Sequence, residues 1–330
     1  MTIGKKLRVC LALLAGLAMT SPAFAQGLTK IKIAISSPSI PASTARIIKQ
    51  MGIFEHHGLD VAIAMMDSGN TAAMSMMSGS VDFSISSPTD VVVARARGQD
   101  VVALTTAYHG NSAVLTLAKS VVDKLGVSPT APMEQRLKAL DGLVIATPSA
   151  TSTYTVSVKA PAEKAGARIK FVHMGQPEMV AALQSGAIQG YVSGAPFYAQ
   201  PVAAGTGVIW INGPKGETPP EFAPSNVIVV ETTRAYAAAH VDVDKRLVDS
   251  FLEFGQAARD RPADVKAALA ALYPNLDAKL LDAFFDSEVH GFAVGPLTPA
   301  EMAHDIEFTR GSGIDIASLK GVDPATMIFP

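Results

Sequence analysis

Six short stretches of this chain, most of them crowded with hydroxyl side chains, stand where an apolar run gives way to a helix-forming one. Ser36-Ser-Pro-Ser-Ile-Pro-Ala-Ser-Thr44, Asp67-Ser-Gly-Asn70 and Ser86-Ser-Pro-Thr89 form a first group. Thr147-Pro-Ser-Ala-Thr-Ser-Thr-Tyr154, His173-Met-Gly-Gln176 and Ser193-Gly-Ala-Pro-Phe197 form a second. Hydroxyls and the unpaired N–H groups of helix starts donate hydrogen bonds without carrying a charge. Pooled at one place they suit a small oxyanion, such as a carboxylate, a sulfonate or nitrate, with no obligatory arginine. Helix capping competes with this reading, because Ser and Thr are preferred N-caps whether or not anything binds. Capping explains any single serine well. It does not explain density: five of the eight residues Thr147 to Tyr154 are Ser or Thr, and one helix needs one cap.

The candidate ligand-binding residues follow from these stretches. The first group offers Ser37, Ser39, Asn70, Ser86 and Ser87, and the second offers Ser149, Thr151, Ser152, Tyr154, Ser193 and Phe197. Tyr108 and His109 lie between the groups, where they could close over a ligand; His109 reads equally well as a solvent-exposed loop residue. Tyr154, Phe197 and Tyr198 could wall an organic ligand, whereas Tyr191 sits inside an apolar run and reads as core.

The elements that must position these residues alternate in type. Lys30–Ser36, Leu59–Met65, Val81–Ser86 and Val101–Ala107 read as strands, with helices over Ala42–Met51, Asn70–Ser78 and after Ser87. The pattern restarts with strands at Gly142–Thr147, Ile169–His173 and Ile188–Ser193, and helices to Lys164, over Pro177–Gln184 and after Ala195. Strands separated by helices at this spacing indicate βαβ units and a largely parallel sheet. The two runs also correspond. Met76-Met-Ser-Gly-Ser-Val-Asp-Phe83 matches Leu183-Gln-Ser-Gly-Ala-Ile-Gln-Gly190, and Gly58 matches Gly166 at almost the same offset. One unit used twice is a repeat signal and implies two lobes. In open α/β sheets ligands bind beyond the carboxyl ends of the strands, which is where the six stretches lie.

From Pro224 the character changes. Asn226–Val230 reads as a strand, and Thr233–His240, Lys245–Arg259, Ala263–Leu272, Asp277–Ser287 and Thr298–Arg310 as helices. Leu247, Phe251 and Phe254 make an apolar stripe at helical spacing, a core face. The expected organisation is residues 26–108 and 226–330 in lobe one, 109–225 in lobe two, and a helical tail on lobe one. The chain then crosses between lobes twice, near Tyr108–Ser112 and Pro224–Ile228, which makes a two-strand hinge.

At the start, Lys5, Lys6 and Arg8 precede an apolar run from Val9 to Met19, and Ala23-Phe24-Ala25 gives a small-x-small site. These are the parts of a secretory signal peptide, residues 1–25, and the run is short for a spanning helix. Cleavage there leaves 24 basic against 29 acidic residues, a net charge of −5. With no basic run, nucleic acid is not an expected partner. Cys10 is the only cysteine, so the exported part has no disulfide, no thiolate metal site and no cysteine nucleophile. Catalytic constellations are scarce: no His-Glu-x-x-His, Walker loop or Gly-x-Ser-x-Gly is present. His56-His57 are adjacent, so their side chains are expected to diverge in a solvated turn. No metal or cofactor is expected.

Several segments together resemble a known family. Met51-Gly-Ile-Phe-Glu-His-His-Gly-Leu-Asp-Val61, Ala139–Ala146 with the hydroxyl turn after it, Val180–Ile188 with Ala195-Pro-Phe, and Asn226–Val230 are similar to segments of the nitrate/sulfonate/taurine (NitT/TauT) type of ABC-transporter solute-binding proteins. The resemblance covers roughly Lys30 to Leu272. It implies a type-II periplasmic binding fold of two α/β lobes that close on a small organic anion. It also implies docking on an inner-membrane permease with its ATPase, and a monomer is expected. The family's ligand contacts fall on Ser37 to Ser39, Ser86-Ser87, Thr151-Ser152 and Ser193. Two features depart from the pattern: Ala150 stands where a glycine is common, and Val127–Arg136 looks like an insertion. Enzymes that make the thiamine pyrimidine share the fold but rely on a cysteine-rich motif, which is missing here. A ligand-sensing domain fits the same sequence as a transport receptor does.

Overall fold

A computed structural model describes residues 27–292, 294–313 and 322–329. The expected signal peptide lies outside the described residues. The first run comprises β1 (Thr29–Ile35), α1 (Thr44–Gln50), α2 (Ile53–His56), β2 (Leu59–Met65), α3 (Gly69–Met77), β3 (Phe83–Ser86), α4 (Pro88–Ala96) and β4 (Val101–His109). The second comprises β5 (Val114–Ala118), α5 (Lys119–Leu125), α6 (Met133–Lys138), β6 (Val144–Thr147), α7 (Thr153–Lys164), β7 (Lys170–His173), α8 (Gln176–Gln184), β8 (Gly190–Ser193), α9 (Ala199–Ala203) and β9 (Gly207–Asn212). The chain ends through β10 (Asn226–Thr233), α10 (Arg234–Ala239), α11 (Val241–Asp260), α12 (Pro262–Leu272), α13 (Ala278–Phe292) and α14 (Pro299–Arg310).

Two five-stranded sheets result, in the orders β2-β1-β3-β10-β4 and β7-β6-β8-β5-β9. The orders superimpose term by term: β1 plays the part of β6, β3 that of β8, and β10 that of β5. In each sheet the first three strands pair in parallel. The fourth runs against both its neighbours. Gly79 and Gly186, the glycines of the matched Ser-Gly pairs, both have φ of +75°. The sheets are therefore mixed, not wholly parallel, and the reversed strands β5 and β10 are the ones by which the chain enters each sheet from the other.

Burial on both faces explains the composition of the strands. Ile33, Ala34 and Ile35 of β1 and all four residues of β3 are buried. Parallel strands covered by helices on both sides read as apolar runs, not as alternating ones. The tail packs on the first sheet: α11 and α13 lie against β4, α12 against α1, and α14 against α4. Leu247, Phe251 and Phe254 are fully buried, as the stripe predicts. Phe251 meets Phe54 edge-on at 6.2 Å, and Phe254 meets Phe292 at 5.5 Å. Each such pair adds about 0.5–1.5 kcal/mol to the area buried. No helix among the described residues is long and apolar enough to cross a membrane.

Candidate functional site

The hydroxyl turns meet between the two sheets. A cavity enclosing about 30 Å³ is lined from the first sheet by Ser36, Ser37, Ser39, Gly69, Ser87 and Asp90. From the second sheet come Pro148, Ser149, Ser152, Thr153, Tyr154 and Gln176, and Val227 and Ile228 of β10 complete the wall. The space holds two or three water molecules. The lobes touch around it. Thr151 Oγ1 donates to Asp90 Oδ1 at 2.6 Å, Gln176 Nε2 donates to Ser37 Oγ at 2.8 Å, and the Ile40 N–H donates to the Ala195 carbonyl at 2.7 Å.

Local chemistry places the lining. Ser87 caps α4, accepting from the Thr89 N–H, with Pro88 at the first helical position. Ser152 caps α7 in the same way, accepting from the Tyr154 N–H. Both helices thus start at the cavity, where their positive ends face its contents. Tyr154 is buried, exchanges a hydrogen bond with Ser112 at 2.9 Å, and its hydroxyl lies against Ser39. Gln176 is held at both ends, since its Oε1 also accepts from the Gly194 N–H at 3.0 Å.

The cavity unites Ser37, Ser39, Ser87, Ser149, Ser152 and Tyr154 of the expected residues. The others stand elsewhere. Asn70 is exposed on α3, next to Gly69, which does line the cavity. Ser86 is buried beneath it and donates to Glu231 Oε1 at 2.7 Å. Thr151 sits at the rim on Asp90. Ser193 is fully buried, and its Oγ has no hydrogen-bond partner among the described residues. Phe197 packs in the core of the second sheet, where its carbonyl accepts from Tyr191. His109 ends β4, 3.7 Å from Glu301.

Asp90, which the sequence did not single out, dominates the electrostatics. It is 7 % exposed, and its Oδ2 has no partner among the described residues. Burial pushes its pKa up to about 6, against hydrogen bonds from Thr151 and the Ser87 backbone. Glu231, another buried carboxyl, is pushed up to about 7, chiefly by burial and further by Asp90. Ser84 and Ser86 donate to its Oε1. No lysine, arginine or histidine lines the cavity among the described residues. Arg136, the one buried basic side chain described, is committed to Glu217 at 3.0 Å. Gly69 is what lets Asp90 reach the wall: a Cβ there would lie 2.5 Å from Asp90 Oδ2.

One reading is corrected. His56 and His57 do not diverge: His56 Nδ1 and His57 Nε2 both meet Glu253 Oε2, at 2.9 and 2.8 Å. One ring uses its near nitrogen and the other its far nitrogen, so adjacent residues reach one point.

Comparison with known proteins places this architecture. The model of the NMT1-like family matches residues 26–273. The chain belongs to the NMT1-like family. Solved structures agree on the fold. A protein of Bordetella bronchiseptica RB50 superimposes with a TM-score of 0.76 at 20% identity, over 91% of this chain and 94% of that one. The periplasmic aliphatic sulphonate binding protein SsuA from Escherichia coli gives 0.65 at 16%, over 91% and 97%. The periplasmic nitrate-binding protein NrtA from Synechocystis PCC 6803 gives 0.65 at 14%, over 91% and 84%. This NMT1-like chain therefore has the two-lobed periplasmic binding protein fold with a helical C-terminal region. No curated protein matches it by sequence.

Proposed function

We propose that this protein is the solute-binding component of an ABC importer. It is exported to the periplasm through a cleaved signal peptide, captures a small organic acid between its lobes as a monomer, and presents it to an inner-membrane permease with its ATPase. It is not an enzyme in this reading. Family membership supports the role, as do the sulfonate- and nitrate-binding proteins that share the fold. The observation that carries it is the cavity between the lobes, where helix starts from both sheets face one partly open space. Lobe one spans 26–108 and 226–330, lobe two 109–225, and the ligand contacts are the hydroxyls of Ser37, Ser39, Ser87, Ser149 and Ser152.

Asp90 narrows the ligand class. An ionised carboxylate beside a bare anion repels it, and among the described residues nothing basic lines the cavity to offset that. A ligand that brings an ammonium or another N–H donor to Asp90 Oδ2 satisfies that atom. Its acidic end then meets the serine hydroxyls and the starts of α4 and α7. An amino-bearing sulfonate or carboxylate fits this arrangement, and nitrate does not. A buried acid can also serve as a general acid, but among the described residues no histidine, lysine or cysteine lines the cavity to activate a hydroxyl beside Asp90, so binding is the reading favoured.

The test is a thermal-shift screen of residues 26–330 against taurine, ethanesulfonate, β-alanine, propionate, nitrate and a pyrimidine. A ligand at 100 times its Kd stabilises by about 2.7 kcal/mol, which displaces the melting point by several degrees. The amino-bearing acids are expected to shift it and nitrate is not. No shift with any small acid would remove the proposed ligand class.

A further inference from the structure

Away from the cleft, three metal-ligating side chains from two remote parts of the chain converge. We propose that His56, His57 and Glu253 bind a divalent transition metal such as zinc, clipping the turn after α2 to α11. Glu253 lies 196 and 197 positions from the two histidines, so only the tertiary fold brings them together. Their donor atoms, His56 Nδ1, His57 Nε2 and Glu253 Oε2, all stand within 4.8 Å of one another. Ligands on a tetrahedral zinc with bonds of about 2.0–2.2 Å are roughly 3.4 Å apart. Side-chain rotations that move each donor by well under about 1 Å supply that spacing. Two imidazoles and a carboxylate suit zinc, cobalt, nickel or copper and do not suit calcium or magnesium, which take oxygen. Solvent fills the remaining positions, because His56 is exposed while His57 and Glu253 are mostly covered.

The frame around the three is rigid on both sides. Phe54 of α2 packs edge-on against Phe251 of α11, two residues before Glu253. Arg246 of α11 donates to the Gly58 carbonyl at 3.1 Å and to Thr29 Oγ1 at 3.2 Å, fixing the far side of the histidine turn. Arg261 is the competing cation, 4.0 Å from Glu253 Oε1, and is half exposed. It can turn to solvent when a metal neutralises the carboxylate. Residues 26–330 contain no cysteine, so no disulfide joins these two segments.

The experiment uses the untagged protein from Gln26, stripped of metal with a chelator. Zinc chloride is titrated by calorimetry, and cobalt chloride by its visible absorption, which reports ligand type and geometry directly. The expected results are one equivalent bound, a cobalt spectrum of low coordination number, and a higher melting point with zinc. His57→Ala and Glu253→Gln are each expected to weaken zinc at least about tenfold. Glu253→Gln keeps a hydrogen-bond acceptor for the histidines, and its zinc-free melting curve reports whether the fold survives. No saturable binding in the wild-type protein, or unchanged affinity in both variants, would overturn the proposal.

Discussion

The segments that follow β3 and β8 hold the same place in their sheets, and they do opposite things. Each leaves a strand flanked by one parallel and one antiparallel neighbour. After β3, Ser87 caps α4, and Asp90, in the first turn, turns an unpartnered oxygen to the cavity wall. After β8, Ser193 is sealed in and Phe197 joins the core. That loop's Ala195 carbonyl accepts from Ile40 across the lobe boundary, and its Gly194 N–H holds Gln176, whose amide nitrogen reaches Ser37 of the other lobe. Two copies of one unit have therefore divided the labour. In the proposed reading, lobe one supplies the group that selects, and lobe two supplies the clamp. Topological equivalence locates a site, and the side chains then decide which half recognises the ligand.

The largest effect is expected from Asp90→Asn. It removes the charge that an ammonium would meet, and losing one partner of a buried charge pair costs about 2–5 kcal/mol, or at least about thirtyfold in affinity. Ligand-free stability is expected to hold or rise, since an unpaired buried carboxyl is lost. Calorimetry and a melting curve check the two halves of that expectation.

The clamp is tested next by Gly194→Ala. The added Cβ would lie 2.7 Å from the Tyr154 hydroxyl and 3.3 Å from Pro41 Cδ, across the lobe boundary. Overpacking of about 1–3 kcal/mol is expected, and the part of it against Pro41 falls on the closed state alone. About tenfold weaker binding is expected, with a larger radius of gyration in solution scattering of the liganded protein.

A smaller effect belongs to the join between the two halves. The double variant Thr151→Ala with Ser152→Ala removes the 2.6 Å bond to Asp90 and the cap of α7. Each loss is worth about 1 kcal/mol. Binding is expected to weaken several-fold while the circular dichroism spectrum is unchanged.

The gentlest probe is pH. Asp90 and Glu231 hold their protons to about 6 and about 7 because burial disfavours their charged forms. An acid whose pKa is raised by folding favours the folded state at low pH and loses that contribution as pH rises through the raised value. Ligand-free stability is therefore expected to fall from about pH 4 to about pH 7 on account of these two groups. Affinity for an amino-bearing ligand is expected to climb over the same interval as Asp90 ionises. Melting points and titrations in a series of buffers would show the two trends crossing.

Much of this was legible in the sequence. The repeated Ser-Gly pairs and the strand–helix alternation gave the two sheets, and the hydroxyl turns gave most of the cavity wall. The strands β5 and β9 escaped notice, because Val114–Ala118 and Gly207–Asn212 are short apolar runs whose partners lie far along the chain. Local propensity carries no mark of such pairing. Asp90 was passed over for a related reason. An acid in the first turn of a helix is ordinary, since it suits the helix dipole. Its local oddity is that Val93 and Ala94, its neighbours on the same helix face, are apolar. What makes it unusual is burial against Gly69 and Thr151, which only the fold supplies. The histidine pair failed in the opposite direction. Adjacent side chains do diverge in a regular element, but a turn that offers different ring nitrogens to one carboxylate escapes that rule.

The division of labour is tested most directly by titrating one matched pair, taurine and ethanesulfonate, into the wild-type protein and into Asp90→Asn. The two ligands share a sulfonate and a two-carbon chain and differ in the ammonium. The account predicts that taurine binds the wild type at least about thirtyfold tighter than ethanesulfonate, and that this preference disappears in Asp90→Asn. Equal affinity of the wild type for both, or a taurine preference that survives the substitution, would contradict it.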